Sequence, residues 1–153
     1  MSTTGNAGFD NVTSSRSIAI GYHAEVANDR LSYRIIGIAI DVHQHLGPDF
    51  AEAQYHDAFV HGLEEEGLTV ESEKEVAVTY RQCQVGSRFI DLLVDDEVVI
   101  ELKAVHCLND DHFRQLGTNV RLLGRRRGLL INFGRSKIEV RRFANDHAVD
   151  GDE

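Results

Sequence analysis

The 153-residue sequence has few of the residues on which small disulfide-bonded or zinc-stabilised proteins depend. It has no tryptophan, one methionine, one proline and only two cysteines, Cys83 and Cys107. Two cysteines are too few for a disulfide framework or a cysteine-based zinc site. Neither has a convincing histidine partner for nucleophilic catalysis. With 42% hydrophobic residues, the chain instead has enough apolar side chains to build an ordinary core.

Long apolar runs are also absent, and we expect no secretory leader. No stretch approaches the roughly 20 apolar residues needed to cross a bilayer, so we expect no membrane span. The N-terminal Met-Ser-Thr-Thr-Gly-Asn has neither the basic nor the apolar region of a secretory signal. No glycine-rich phosphate-binding loop is present. We therefore expect a cytoplasmic globular protein.

Positive charge is scarce over the first two thirds of the chain. The sequence has 16 Lys and Arg against 25 Asp and Glu, and its net charge of −9 argues against nonspecific binding to a polyanion. The basic residues concentrate in residues 103–143, where ten of them accompany three acids. Arg125, Arg126 and Arg127 lie in that segment, and we predict that they contact nucleic acid. The alternative is a solvated basic face that balances an acidic face of the same molecule.

Hydrophobic periodicity predicts a single α/β domain. We expect residues 1–28 to form a mobile arm, residues 29–143 the domain, and residues 144–153 an acidic tail. Apolar spacing predicts helices over 31–46 and about 50–66. Asp110 or Asp111 is expected to cap a third helix that runs through Leu123 and ends at Gly124. The strands predicted outside a central hairpin are 76–85, 129–133 and 137–143. The order ααβββαββ predicts an α/β sandwich around a mixed sheet.

Residues 88–103 predict a β-hairpin that mixes acids with aliphatic residues. Two β-rich runs flank Asp95-Asp96-Glu97, which suits a three-residue loop. That register sets Asp91 against Glu101. Because side chains alternate along a strand, one face is expected to be wholly aliphatic. Its members are Ile90, Leu92, Val94, Val98, Ile100 and Leu102. The opposite face is expected to hold Asp91, Glu101 and Lys103 among Phe89, which would oppose Lys103, and Leu93 and Val99.

Two carboxylates directly opposite one another repel, by roughly a few tenths to 1 kcal/mol even in water. If the face is covered, one carboxylate must take up a proton or a cation must neutralise both. Mg²⁺ suits the pair because it prefers oxygen ligands and commonly binds one or two carboxylates, waters and phosphate. Lys103 lies two residues beyond Glu101 on the same face. It is placed to orient an attacking water or to stabilise charge that develops on phosphate.

Other interpretations of these residues stay open. The hairpin is alternatively a surface element on whose outer face Lys103 offsets the two acids. A two-residue loop would set Asp91 against Ile100 instead. The eight histidines are better explained as solvated or hydrogen-bonded side chains than as a zinc site, because pairs such as His43 and His45 are poorly spaced to share an ion.

The combination of motifs resembles a known nuclease superfamily. Asp91, followed ten residues later by Glu101-Leu102-Lys103, resembles the PD-(D/E)xK signature within a matching order of elements. More specifically, residues 31–143 resemble the GxxExxY family, a small branch of that superfamily. The residues that carry this resemblance are His43-Gln44-His45-Leu46-Gly47-Pro48, Glu52, Tyr55, the runs 90–94 and 100–104, Gln115 and the run 129–134.

The resemblance implies a restriction-endonuclease-like αβββαβ core and phosphodiester hydrolysis that depends on Mg²⁺, with Mn²⁺ as an alternative ion. It also implies that Asp91 and Glu101 are metal ligands and that Lys103 is the catalytic lysine. Glu52 is implied as a further acid near the metal, and Gln115 as a residue that lines the site from the third helix. Considered without the resemblance, Glu52 is a solvated helix residue and Gln115 is a polar residue of a first helical turn.

The sequence departs from the family pattern around these central residues. Asp49 replaces the first glycine of the family name, and Asn119 occupies a position where an aromatic is expected. Arg88 lies three rather than two residues before the aspartate, and Ile90 replaces the proline of the motif. We hypothesise a Mg²⁺-dependent nuclease acting on DNA, or alternatively on RNA. A catalytically inactive module of the same fold that binds nucleic acid or a protein partner stays open, as does a homodimer that addresses two strands.

Overall fold

A computed structural model of the chain describes residues 29–148. The arm predicted over residues 1–28 and the end of the predicted acidic tail, residues 149–153, lie outside the described residues. Within the described range the fold has the predicted order ααβββαββ. The elements are α1 (Arg30–Leu46), α2 (Glu52–Glu65), β1 (Val70–Tyr80), β2 (Cys83–Val94), β3 (Val98–Lys103), α3 (Asp110–Leu122), β4 (Arg127–Asn132) and β5 (Glu139–Ala144).

The strands form one mixed sheet with the order β1-β2-β3-β4-β5. Neighbouring strands are antiparallel except β3 and β4, which are parallel and paired from Val98 with Arg127 to Lys103 with Asn132. Parallel neighbours need a crossover connection, and α3 supplies it. The predicted α/β fold with a mixed sheet flanked by helices is therefore confirmed. None of the helices in residues 29–148 combines the length and apolar character that a membrane crossing needs.

Both faces of the central strands are buried, because helices cover each of them. On one face, Leu93, Val99 and Leu130 pack with Leu116 and Val120 of α3. This contact is close, since a Cβ added at Gly128 of β4 would lie 2.5 Å from a methyl of Val120. Glycine thus permits α3 to approach the sheet.

Helices α1 and α2 contact the sheet through aromatic side chains. Tyr55 of α2 stacks on Phe133, which follows β4, with ring centroids 4.9 Å apart, and Arg142 of β5 lies over the ring of Tyr33. The Tyr55 hydroxyl also donates to the carbonyl of Gly47 in the α1–α2 connection. Tyr55 is fully buried, so it joins that connection to the end of β4.

The predicted strand over 76–85 is wrong because a turn interrupts it. Arg81 and Gln82 both have positive φ, and they join Tyr80 of β1 to Cys83 of β2. Such a two-residue turn normally contains glycine or asparagine, and this sequence has neither at these positions. The start of α3 also differs from the prediction, because Asn109, and neither Asp110 nor Asp111, caps it by accepting from the His112 amide at 2.9 Å.

The part of the β1–β2 pair nearest this turn is exposed. We call residues 77–80 with residues 83–87 the distal ribbon. All of its side chains are exposed except the half-buried Val78. Tyr80 is 62% exposed and Val85 61%. The distal ribbon therefore contributes little to the core.

Candidate active site

The β2–β3 hairpin has the register that places the two predicted metal ligands near one another. Val94 pairs with Val98, and the ladder continues through Leu93 with Val99 to Leu92 with Ile100. The three-residue loop is therefore confirmed. Asp95 and Asp96 both adopt positive φ in this loop, a conformation that aspartate tolerates better than most residues.

The β2–β3 ladder ends one step before Asp91 would pair with Glu101. Instead, a side chain takes over a backbone position, since Asp91 Oδ2 accepts from the Leu102 amide at 2.8 Å. In a continued ladder that amide would have bonded to the backbone of β2. The Asp91 carboxylate is therefore held against the end of β3, beside Glu101.

The predicted division of the hairpin into two faces is wrong before Asp91. Ile90 packs with Leu93 and Val99 on the face that α3 covers, although strict alternation would put it on the opposite face. Phe89 is 65% exposed and pairs with Glu75 of β1, not with Lys103. The alternation changes around Asp91, where the ladder with β1 is also interrupted and Glu73 has a φ of 51°. A local break in the pleat therefore accompanies the inward-facing carboxylate.

Glu101 is buried beside a second carboxyl group. It is only 5% exposed, and burial is the main reason that its pKa rises from about 4.5 to about 8. Asp91 raises this pKa further, by charge repulsion and by a hydrogen bond that only protonated Glu101 can donate. The Asn119 amide and the Lys103 ammonium act in the opposite direction. A cation placed between the two carboxylates would replace the proton.

Lys103 is the last residue of β3 and is held by the parallel strand. It pairs with Asn132, and its carbonyl accepts from the Phe133 amide at 2.8 Å. Its side chain is half-buried, and its charge lowers the pKa of both Glu101 and Glu52. The structure thus brings the Lys103 ammonium close to the acids with which the sequence associated it.

Glu52 begins α2 at the rim of this group. Its side chain is exposed, yet neighbouring atoms shield it in part, and this desolvation is the main cause of its raised pKa. The charge of Lys103 lowers that pKa and the charge of Asp91 raises it. His56, one turn later on α2, hydrogen-bonds Ser72 of β1 at 2.7 Å and so joins this helix to the sheet. The structure therefore places Glu52 within electrostatic range of Lys103 and Asp91.

Asn119 connects Glu101 to Arg88, and sequence reasoning missed this chain of contacts. The Asn119 Nδ2 donates to Glu101 Oε1, and the Arg88 Nε donates to Asn119 Oδ1 at 2.7 Å. Asn119 is 2% exposed on the buried side of α3, between Leu116 and Val120. The sequence signal that could have revealed this contact is a polar residue, Asn119, among the apolar residues on the core-facing side of α3. Two of the residues that depart from the family pattern, Arg88 and Asn119, are therefore linked to Glu101 by hydrogen bonds.

Asn132 is the second residue whose role the sequence did not reveal. It is fully buried at the end of β4, where its Oδ1 accepts from the Val105 and Gly134 amides at 3.0 Å each. Its Nδ2 donates to the Val105 carbonyl at 2.9 Å. A Cβ on Gly134 would lie 2.5 Å from the Val105 nitrogen, so the two connections meet too closely for a side chain. Asn132 thereby fixes the backbone that follows Lys103.

The remaining predicted residues lie farther from the carboxylates. Gln115 is exposed on α3, one turn before Asn119 and on the same side of the helix. Arg125, Arg126 and Arg127 are at the other end of the β3–β4 pair, five residues or roughly 16 Å along the strand from Lys103. The structure therefore brings Gln115 toward the site and leaves the three arginines apart from it.

The donor set suits a hard divalent cation that keeps part of its water shell. No group of three or more His, Cys, Asp or Glu side chains within residues 29–148 is arranged to hold an ion. Asp91 and Glu101 supply two carboxylates, which is the number that Mg²⁺ commonly takes from a protein. The proton that Glu101 otherwise retains marks the place where positive charge is needed.

A sequence model described as the PD-(D/E)XK nuclease superfamily matches residues 29–143. This range includes every residue of the site described above. No curated protein and no solved structure gives a significant match to the chain.

Proposed function

The chain belongs to the PD-(D/E)XK nuclease superfamily, and on that premise we propose that it hydrolyses nucleic-acid phosphodiester bonds, with DNA as the first substrate to test. The observation that carries the proposal is the placement of Asp91 and the buried Glu101 against one another, with Lys103 beside them. An ion pair that served only stability would not set two acids together. The residues of the motifs further support membership of the GxxExxY branch.

In this proposal each side chain has a separate task. Asp91 and Glu101 would hold Mg²⁺ or Mn²⁺, which when bound supplies a Lewis acid that activates water and offsets charge on phosphate. The Lys103 ammonium holds the attacking water or the developing negative charge on the phosphate oxygens. Glu52 is a carboxylate at the rim of the site. Its pKa is raised toward neutral pH, and this favours a role in transferring protons to and from water. Gln115 would contact substrate at the same rim.

The contact with substrate away from the scissile bond is a second part of the proposal. Arg125, Arg126 and Arg127 would contact phosphates about one and a half nanometres from the carboxylates. Each phosphate contact releases counterions, so affinity for nucleic acid should fall as the salt concentration rises. Replacing the three arginines with alanine should reduce that salt dependence without abolishing cleavage at low salt.

The test of the proposal is cleavage of single- and double-stranded DNA and RNA by purified protein, with Mg²⁺, with Mn²⁺ and with a chelator. We expect cleavage that requires the divalent ion and that is lost in the Asp91→Ala, Lys103→Ala double variant. A matched control removes one acid and one base elsewhere, through the exposed Glu97→Ala and Lys137→Ala. Ion-dependent cleavage that survives in the first variant would overturn the site assignment. Absence of both cleavage and ion binding in the wild type would favour the inactive binding module.

A further inference from the structure

Arg88, Asn119 and Glu101 form a continuous line of hydrogen bonds that leads into the site from β2 across α3 to β3. Asn119 is the middle member, and at 2% exposure it is inaccessible to substrate. It lies 31 residues from Arg88 and 18 from Glu101 in sequence, so the line forms only when the fold is complete. The site geometry therefore depends on a residue that cannot itself touch the reacting atoms.

The orientation of the Asn119 amide follows from its neighbours. An arginine only donates, so the group facing Arg88 Nε must be the oxygen Oδ1. The nitrogen Nδ2 is then the atom that faces Glu101 Oε1, as the structure has it. Without Arg88, the amide would be free to rotate and present its oxygen to a carboxylate, which repels it. Arg88 therefore determines that Asn119 offers a donor to Glu101.

We propose that Arg88 and Asn119 are positioning residues that aim the Glu101 carboxylate at the divalent ion. Asn119 engages Oε1 and restricts rotation of the carboxylate, while Arg88 keeps the Asn119 amide from reversing. This role rests on the proposed function, because it assumes that Glu101 is an ion ligand. Partners that orient a metal ligand commonly contribute about 10- to 100-fold to ion affinity.

The sign of the effect separates this role from simple electrostatics. Arg88 is a cation near a cation-binding pair, so if it acted only through its charge, its removal would strengthen binding of the ion. If it positions Asn119, its removal weakens binding. A residue that only supported the fold would change the free energy of unfolding of the ion-free protein and leave the ion affinity of the folded protein unchanged.

The experiment is calorimetric titration of Mn²⁺ into the full chain at fixed pH. We expect Arg88→Met to bind the ion about 10- to 100-fold more weakly, Arg88→Lys to recover part of the affinity, and Asn119→Leu to match Arg88→Met. The double variant should be no weaker than Asn119→Leu alone, because Arg88 acts through Asn119. Arg81→Met, which removes an arginine in the β1–β2 turn, is the control and should bind as the wild type does.

The outcomes distinguish this inference from the function on which it rests. If the wild type does not bind Mn²⁺, the proposed function fails. If the wild type binds and Arg88→Met binds equally well or more tightly, the positioning role is overturned while the proposed function stands. Should Asn119→Leu not fold, Arg88→Met and Arg88→Lys decide the matter alone, since Arg88 is a half-buried residue of β2 and its replacement changes no residue of α3.

Discussion

The two ends of the β3–β4 pair differ in how their charged side chains are arranged. At the start of these strands, Arg125 meets the acidic hairpin loop, with its Nη2 2.6 Å from Asp96 Oδ1 and its Nε donating to the Asp96 carbonyl at 2.8 Å. At the far end, Asp91 and the buried Glu101 share their surroundings with Lys103 as the nearby cation. One end has opposite charges paired at the surface, and the other has two acidic side chains packed together, one of them buried.

This difference shows which end of the pair carries side chains whose placement lowers the stability of the fold. A partly exposed pair such as Arg125 and Asp96 is easily satisfied and is worth little to stability, about 1 kcal/mol or less. A buried carboxylate beside another is costly and persists only because the surrounding packing holds it in place. The far end of the pair is therefore the end at which we place the proposed chemistry.

The largest expected effect comes from neutralising the costly end. Asp91→Asn or Glu101→Gln should lower the rate of ion-dependent cleavage at least about 100-fold, because losing an ion ligand should exceed the loss of a residue that merely orients one. Arg125→Met at the opposite end should leave the rate of cleavage of a short substrate near that of the wild type. Cleavage rates under single-turnover conditions measure both. Equal losses in the two sets would erase the distinction between the ends.

The next effect is a fall in stability with rising pH when no divalent ion is present. The folded-state pKa of Glu101, about 8, lies above its usual 4.5, so folded protein holds an extra proton between these values. Stability from this group is complete below about pH 4.5 and is lost as the pH rises toward 8, a change on the order of a few kcal/mol. Urea unfolding across this range, compared with Glu101→Gln, isolates the contribution. Parallel profiles for the two proteins would contradict it.

A smaller effect is stabilisation by the ion itself. Mg²⁺ at one hundred times its Kd should add about 2.7 kcal/mol to the free energy of unfolding. At one fixed Mg²⁺ concentration the gain should be larger at pH 8 than at pH 6, because the ion competes with the Glu101 proton and its Kd is therefore higher at the lower pH. Thermal unfolding with and without Mg²⁺ measures it, and Glu101→Gln should show little gain at either pH. A gain of the same size in that variant would place the ion elsewhere.

The smallest effect concerns the end of the β3–β4 pair at which Arg125 pairs with Asp96. Arg125→Met should lower the free energy of unfolding by about 1 kcal/mol or less, since the ion pair is partly exposed. The part due to Asp96 should shrink in high salt, whereas the bonds from Arg125 to the Asp96 and Leu123 carbonyls should persist. Urea unfolding at two salt concentrations separates these parts. A cost of several kcal/mol would show that this end is as constrained as the other.

The site was predictable from the sequence where local rules govern it. Asp95-Asp96-Glu97 marks a short loop, and the loop length then fixes the register that brings Asp91 toward Glu101. The break in alternation at Asp91 was not predictable, because a side chain that replaces a ladder bond leaves no periodic signal. The contact between Arg88 and Asn119 joins residues 31 positions apart, and such contacts are decided by packing, which periodicity does not encode.

The predicted ends of two elements, β1 and α3, were wrong for a related reason. The turn at Arg81 and Gln82 has the geometry of a glycine- or asparagine-containing turn but contains neither residue, so the pattern of β-forming residues runs through it. The α3 crossover was predictable from the aspartates at its start and from Gly124 after it, whereas the residue that caps it is Asn109, one position before those aspartates.

The distal ribbon has a consequence for how the molecule opens. An isolated two-stranded hairpin is marginal in water, and residues 77–80 and 83–87 have little beyond their own pairing to protect them. Their amide hydrogens should exchange with solvent through local fraying, long before those of Leu93, Val99 or Leu130. Within residues 29–148, trypsin should cut first at Arg81. Opening that stops before Arg88 leaves its bond to Asn119 in place. The end of the two longest strands can therefore open without disturbing Asp91 on β2 or Glu101 on β3.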